Sequence, residues 1–168
     1  MNRSALLFLC AWLVTPIACA TPVLPSFPGV PPAPLSPRRN FGGFFAQHQP
    51  VRIVFGVSHP RGQLKETLTN MALMIRYLKS KGYRYQMQVV LYGRGVFAAD
   101  QWKTQYSVYH DLMKSLHGQG VQFRVCYNSM YALHVKSDDL YSWTKVTPAG
   151  ILQIVKKEMQ GYSYIVNP

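Results

Sequence analysis

Cys126 is the residue whose type and position best suit chemistry in this sequence. It ends an apolar run that begins at Val121, and it precedes Asn128 and Ser129, which are residue types that favour the start of a helix. α/β proteins assemble their ligand sites at such strand-to-helix turns. The partial positive charge of a helix start favours a thiolate over a thiol. The sequence therefore predicts a catalytic role for Cys126, as a residue that attacks or holds sulfur.

Two more turns are expected at the same edge of a parallel sheet, one after each of the first two strands. The imidazole of His59 would pass protons to or from the thiol, and Arg94, between two glycines, would attract an anion. The candidate substrate-binding residues are therefore His59, Tyr92, Gly93, Arg94, Asn128 and Ser129. Simpler interpretations stay open, with Cys126 as buried packing, His59 as an exposed loop residue and 92–95 as a tight turn without a ligand.

No metal site and no cofactor are predicted. His110 and His117 are seven residues apart, and neither has a His or an acidic residue at the four-residue spacing of zinc-binding helices. The glycine turn at 93–95 lacks the third glycine of a dinucleotide fingerprint and the Lys-Ser/Thr of a phosphate loop. The absence of a G-x-S-x-G motif argues against a serine hydrolase.

Residues 1–20 have the composition of a secretory signal peptide, with Arg3, an apolar stretch and small residues up to Ala20. Cleavage near Ala20 would make this a periplasmic protein without a transmembrane segment in the mature chain. An alternative is a lipoprotein anchored through Cys19. Because Cys10 also lies in the leader, Cys126 would be the one thiol of the mature chain and would have no internal partner.

Residues 21–49 are predicted to be a proline-rich linker. Prolines stand at 22, 25, 28, 31, 34 and 37, and this period of three matches the turn of a polyproline II helix. Such a segment would be a stiff extended rod without a core of its own. It would act as a spacer or, alternatively, as a docking ligand for a partner.

The chain is basic, with eighteen Lys and Arg residues against six acidic ones and a formal net charge of +12 at pH 7. This excess favours anionic partners, namely lipid headgroups, envelope polyanions or an anionic small molecule. The basic residues are scattered, without the Lys/Arg block of nucleic-acid-binding proteins, so no nucleic-acid partner is predicted. A contribution to solubility alone is the simpler interpretation.

Residues 50–168 alternate between apolar runs and amphipathic stretches, as expected for one α/β domain. Strands are predicted at 51–57, 85–92, 121–126, 145–147 and 162–166, and helices at 64–81, 102–117, 129–134 and 149–160. The helix after the first strand has a regular apolar stripe, formed by Leu64, Leu68, Met71, Ile75 and Leu78. This order predicts a three-layer α/β/α fold with a mainly parallel five-stranded sheet.

Three ordered blocks resemble the DsrE/DsrF-like sulfur-relay family. These are the run 120–129 around Cys126, the turn 146–150 and the ending 160–168, while 92–95 is similar to the glycine turn of the family, with Arg94 in place of its usual proline. The resemblance implies an α/β/α domain that assembles as an oligomer, often a homo-oligomer. It also implies that Cys126 carries a persulfide, as a sulfur carrier or sulfurtransferase working with a donor or acceptor protein. The alternative is a non-catalytic binding or scaffold protein of the envelope.

Overall fold

A single parallel sheet forms the centre of the fold, in a computed structural model that describes residues 23–33, 41 and 43–168. The predicted leader at 1–20 lies outside the described residues. The strands are β1 (Val51–Val57), β2 (Tyr85–Leu91), β3 (Gln122–Cys126), β4 (Lys145–Thr147) and β5 (Ser163–Val166). They lie in the order β4-β3-β2-β1-β5, and all neighbours are parallel. The predicted five-stranded α/β fold is confirmed.

In the described part of the chain, five α-helices accompany the sheet: α1 (Phe44–Gln47), α2 (Gln63–Ser80), α3 (His110–Gly118), α4 (Tyr127–Ala132) and α5 (Gly150–Met159). The helix predicted over 102–117 is in fact a 3-10 helix at Thr104–Tyr109 followed by α3. Thr, Ser, Val and Tyr in that first part are weak helix formers, which explains the difference. Within the described residues, no helix has both the length and the apolar character needed to cross a bilayer.

The two faces of the sheet are covered unequally. On one face, α2 and α3 cover a large core in which the predicted stripe from Leu64 to Leu78 is fully buried. On the other face lies α5, whose Ile154 packs with Val54 and Val90 of the sheet in a much smaller cluster. Most of the apolar surface of α5 is therefore left exposed.

The proline-rich segment differs from the predicted rod where the structure describes it. Phe27 and Val30 bridge to each other and are buried against the main core. The guanidinium of Arg76 on α2 donates hydrogen bonds to the carbonyls of Pro25, Val30 and Pro31 at 2.7–3.1 Å. The proline period gave no weight to the two apolar side chains between the prolines. An extended backbone also leaves its carbonyls free to accept hydrogen bonds from a guanidinium, which the spacing of the prolines does not indicate.

Candidate functional site

Cys126 lies at the carboxyl edge of the sheet, where β3 meets α4. Its register partner is Thr147, the last residue of the edge strand β4. The sulfur accepts a hydrogen bond of 3.1 Å from the amide of Gly150, which opens α5. The residue is only 5 % exposed. The thiol is thus held between the starts of two helices and is close to the surface without being open to it.

The helix after Cys126 begins earlier than the sequence indicated. A helix over 129–134 with Asn128 or Ser129 as its cap was expected, but α4 begins at Tyr127 and Cys126 itself holds the cap position, in extended conformation. A cap side chain faces the unpaired amides of the second and third helical residues. Here those amides belong to Asn128 and Ser129, and the sulfur stands at the cap position without a well-formed cap hydrogen bond to them.

The pKa of the Cys126 thiol is lowered. Burial is the largest influence and raises it, but hydrogen bonds to the sulfur outweigh that effect. They come from the hydroxyl and the amide of Ser129, from the amide of Gly150 and from the amide of Asn128. Gly150 makes the best aligned of these bonds. The site therefore favours the thiolate by neutral donors, without a cation in contact with the sulfur among the described residues.

Ser129 connects Cys126 to the turn after β2. The amide of Gly93 donates a 2.8 Å hydrogen bond to the hydroxyl oxygen of Ser129. Because that oxygen is occupied as an acceptor, its own hydrogen is free to point at the sulfur. The sequence placed Gly93 and Ser129 at one site, and the structure brings them into contact.

Two glycines permit the close approach of these turns. Gly95 lies so near the carbonyl of Val57 that a Cβ there would overlap it, and its amide donates to the carbonyl of Ser58 at 2.9 Å. A Cβ on Gly150 would lie 2.8 Å from the Cβ of Tyr92 and 3.1 Å from the Cβ of Cys126. Larger residues at either position would push the turns apart.

Tyr92 extends the site toward β5. It is half-buried and hydrogen-bonds to Tyr164, a residue that the sequence analysis did not single out. Burial, followed by this hydrogen bond, raises the pKa of Tyr164 to about 12. The Tyr164 ring lies directly over Gly56, where a Cβ would be 2.6 Å from its hydroxyl oxygen. A sequence signal for Tyr164 was present in the ending block of the family, although that block assigned it no role.

The other two predicted residues lie at the same edge but do not contact the sulfur. Arg94 is exposed, and its guanidinium carbon is 5.6 Å from the ring centre of Phe97. His59 is exposed, and its Nδ1 is 2.9 Å from the hydroxyl oxygen of Ser58. Among the described residues, neither side chain has a hydrogen bond or ring contact with Cys126. Their part in binding a substrate stays a prediction.

Other features of the surface do not coincide with this site. A cavity of about 630 Å³ lies between α1, α2 and the strands β1 and β5, and no residue of 92–95 or 126–129 lines it. The thiol of Cys126 therefore does not lie in this cavity. Within the part of the chain that is described, no three His, Cys, Asp or Glu side chains cluster in a way that could hold a metal ion.

Comparisons with known proteins identify a family for this chain. The sequence profile of the DsrE/DsrF-like family matches residues 51–166. Among solved structures, one similar chain is a protein of unknown function from Methanobacterium thermoautotrophicum. It is 27% identical with a TM-score of 0.58, and the match covers 68% of this chain and 96% of that one. The comparison with curated proteins finds no match.

Proposed function

The chain belongs to the DsrE/DsrF-like family, and from this premise we propose that it is a sulfur carrier in which Cys126 holds sulfane sulfur as a persulfide. Membership supports a role of the sulfur-relay type. The observation that carries the proposal for this chain is the set of donors on the Cys126 sulfur, which lowers the pKa of the thiol. A thiolate is the form that attacks sulfur.

Loading and unloading are two thiol exchanges that need no oxidant. In loading, the Cys126 thiolate attacks the outer sulfur of a donor persulfide. A new S–S bond forms, the S–S bond of the donor breaks, and the donor leaves as a thiolate. In unloading, the thiolate of an acceptor attacks the outer sulfur on Cys126, and Cys126 leaves as the thiolate again. The amides of Gly150, Asn128 and Ser129 stabilise that leaving group.

The remaining predicted residues have roles in binding the donor. Arg94 is exposed at the edge and would attract an anionic polysulfide or the acidic surface of a donor protein. His59 would exchange the proton that the thiol loses or gains. The amide of Gly93 holds the hydroxyl of Ser129 in place, and Tyr92 forms the neighbouring wall against Gly150.

The proposed compartment for this sulfur transfer is the periplasm. The leader at 1–20 would direct the protein to the periplasm, where a donor or acceptor protein or a small anionic sulfur compound would meet the basic surface. Cleavage near Ala20 would remove Cys10 and Cys19 and leave Cys126 as the one thiol of the mature chain. The alternative, a lipoprotein anchored through Cys19, would hold the same domain at a membrane.

Polysulfide treatment followed by mass spectrometry tests the sulfur-carrier proposal. The folded protein should gain the mass of one sulfur atom on the peptide that contains Cys126, and a thiol reductant should remove it. Cys126→Ser is the matched variant and should gain nothing. An unmodified Cys126 in the native protein, with modification only after denaturation, would contradict the proposal.

A second function is favoured by the low exposure of Cys126, which is 5 %. On this interpretation the protein is a non-catalytic binding or scaffold protein of the envelope, and the thiol only packs. Native-state alkylation separates the two. A thiol that reacts with iodoacetamide as fast as a small free thiol supports the carrier, whereas one that reacts only on unfolding supports the scaffold.

Assembly as a homo-oligomer is part of the proposal as well. Ile151, Leu152, Val155 and Met159 are exposed along α5, and Val166 of β5 adds to that surface. Contiguous apolar surface of this kind is typical of a contact with another chain. Sedimentation of Leu152→Glu should show smaller particles than the unaltered protein, while Gln105→Glu, which adds the same charge elsewhere, should not change the assembly.

A further inference from the structure

Two cationic side chains lie side by side on the neighbouring strands β3 and β4, away from the carboxyl ends where Cys126 lies. Arg124 and Lys145 are register partners on these parallel strands, so both side chains leave the sheet on the same face. Like charges in that position repel each other. All six acidic side chains of the chain are among the described residues, and the ion pair found there joins Asp111 to His110. No carboxylate side chain therefore compensates Arg124 or Lys145.

The guanidinium of Arg124 also has an unused donor. Its Nε is buried and has no hydrogen-bond partner among the described residues. Buried donors are almost always satisfied in folded proteins, so an orphaned one needs an explanation. A cavity of about 210 Å³ adjoins it, lined by His117, Gln122, Phe123, Arg124, Trp143 and Lys145.

Of the neutral side chains in the lining, Gln122 is oriented to offer a further donor, whereas His117 is not. The Nδ1 of His117 lies 3.2 Å from the carbonyl of Val121 and must donate to it, so on the neutral ring Nε2 is an acceptor and offers an anion no hydrogen. The Oε1 of Gln122 accepts a 2.9 Å hydrogen bond from Gln88, which leaves its NH2 group free to donate. The acceptor of Gln122 is thus used inside the protein, whereas its donors remain.

An aromatic wall closes the cavity on one side. The ring of Trp143 stacks on His117 with 5.5 Å between ring centres, and it meets Phe123 edge to face at 5.2 Å. Such a wall limits the access of water and strengthens interactions between charges inside the cavity. The arrangement is concave and small, and it does not suit an extended polyanion.

We propose that this cavity is a binding site for a small oxyanion, of the size of sulfate, thiosulfate or phosphate. The oxyanion would accept from Nε of Arg124 and from the ammonium of Lys145, and would remove the repulsion between them. The site is distinct from the thiol, because neither Cys126 nor any of the residues that donate to its sulfur lines this cavity. The proposal does not depend on sulfur transfer.

Titration calorimetry at low ionic strength tests this proposal. Sulfate, thiosulfate and inorganic phosphate are each titrated into the purified protein, and sodium chloride at the same ionic strength serves as the control for general screening. At least one oxyanion should bind with a stoichiometry of one per chain, and its identity separates sulfur oxyanions from phosphate. If none of the three binds above the chloride control, the proposal is overturned.

Three variants locate the binding. Arg124→Gln and Lys145→Gln should each weaken it about tenfold or more, since each removes a charged hydrogen-bond donor. Lys65→Gln removes the same charge from an exposed position on α2 and should leave the affinity within about twofold. Lys145 is exposed, so its variant keeps the test decisive even where Arg124→Gln disturbs folding. Equal weakening by all three variants would overturn the proposal, because it would indicate general attraction to a basic protein.

Discussion

The amide of Gly150 lies 3.1 Å from the sulfur of Cys126 and donates a hydrogen bond to it. This bond joins the start of α5 to the end of β3. A residue at 150 therefore has two duties, which are to donate to the sulfur and to leave room for Cys126 and Tyr92. Only glycine meets the second requirement, since any Cβ there comes within 3.1 Å of both neighbouring Cβ atoms.

We predict that Gly150→Ala lowers the free energy of unfolding by about 1–3 kcal/mol, because its Cβ forces backbone or side chains to shift. Urea unfolding followed by circular dichroism measures this. Gly118→Ala is the control, since a Cβ at Gly118 meets nothing within 4 Å. That variant should be at least as stable as the unaltered protein. Equal stability of the two variants would contradict the crowding at Gly150.

We predict that Ser129→Ala slows the alkylation of Cys126 several-fold at pH values below the thiol pKa. Loss of the hydroxyl removes one of the donors that lower this pKa, so less thiolate is present. The rate with iodoacetamide as a function of pH gives the pKa directly. Ser142→Ala, which changes an exposed serine away from the site, should behave like the unaltered protein. An unchanged pH profile for Ser129→Ala would show that the hydroxyl does not act on the sulfur.

We predict that the stability gained from Cys126 depends on pH. The folded-state pKa of the thiol is lowered from its ordinary value of 9.0, so the gain is complete above that value and is lost as the pH falls through the folded-state pKa. The unaltered protein should therefore gain stability relative to Cys126→Ser on going from about pH 6 to about pH 9. Urea midpoints under reducing conditions provide the comparison. A constant difference, or one that shrinks with rising pH, would contradict the lowered pKa.

We predict that Arg76→Gln releases the segment 23–33 from α2. Three hydrogen bonds from the guanidinium are lost or weakened, at a cost of about 1–3 kcal/mol in the free energy of unfolding. Limited proteolysis should then cut this segment faster than in the unaltered protein. Arg61→Gln, at an exposed position, is the matched control and should leave the cleavage rate unchanged. Slow cleavage in both variants would mean that Phe27 and Val30 hold the segment alone.

The strands and the position of Cys126 could be predicted because they depend on local patterns. The apolar residues before Cys126 are enough to indicate a strand, and a parallel sheet brings the carboxyl ends of its strands to one edge. The contacts of Gly150 and Tyr164 could not be predicted in this way. They depend on which strands are neighbours, and that order is decided by packing between residues far apart in the sequence.

The same limit explains two other differences. The repulsion between Arg124 and Lys145 follows from a register between strands that no local pattern contains. The cap position of Cys126 was missed because a serine or asparagine is the usual cap, whereas here a cysteine stands at that position.

The hydrogen bonds from Arg76 to the carbonyls of Pro25, Val30 and Pro31 fix this segment to the domain, so they shorten the chain that would connect the domain to an N-terminal anchor. Were Cys19 to bear a lipid, only five residues would separate it from Pro25, the first residue bound by Arg76, and the six steps between them span about 20 Å when fully extended. The domain would then lie close to the bilayer, with the side that carries Arg76 facing the lipid, and it could move only a short distance from the membrane.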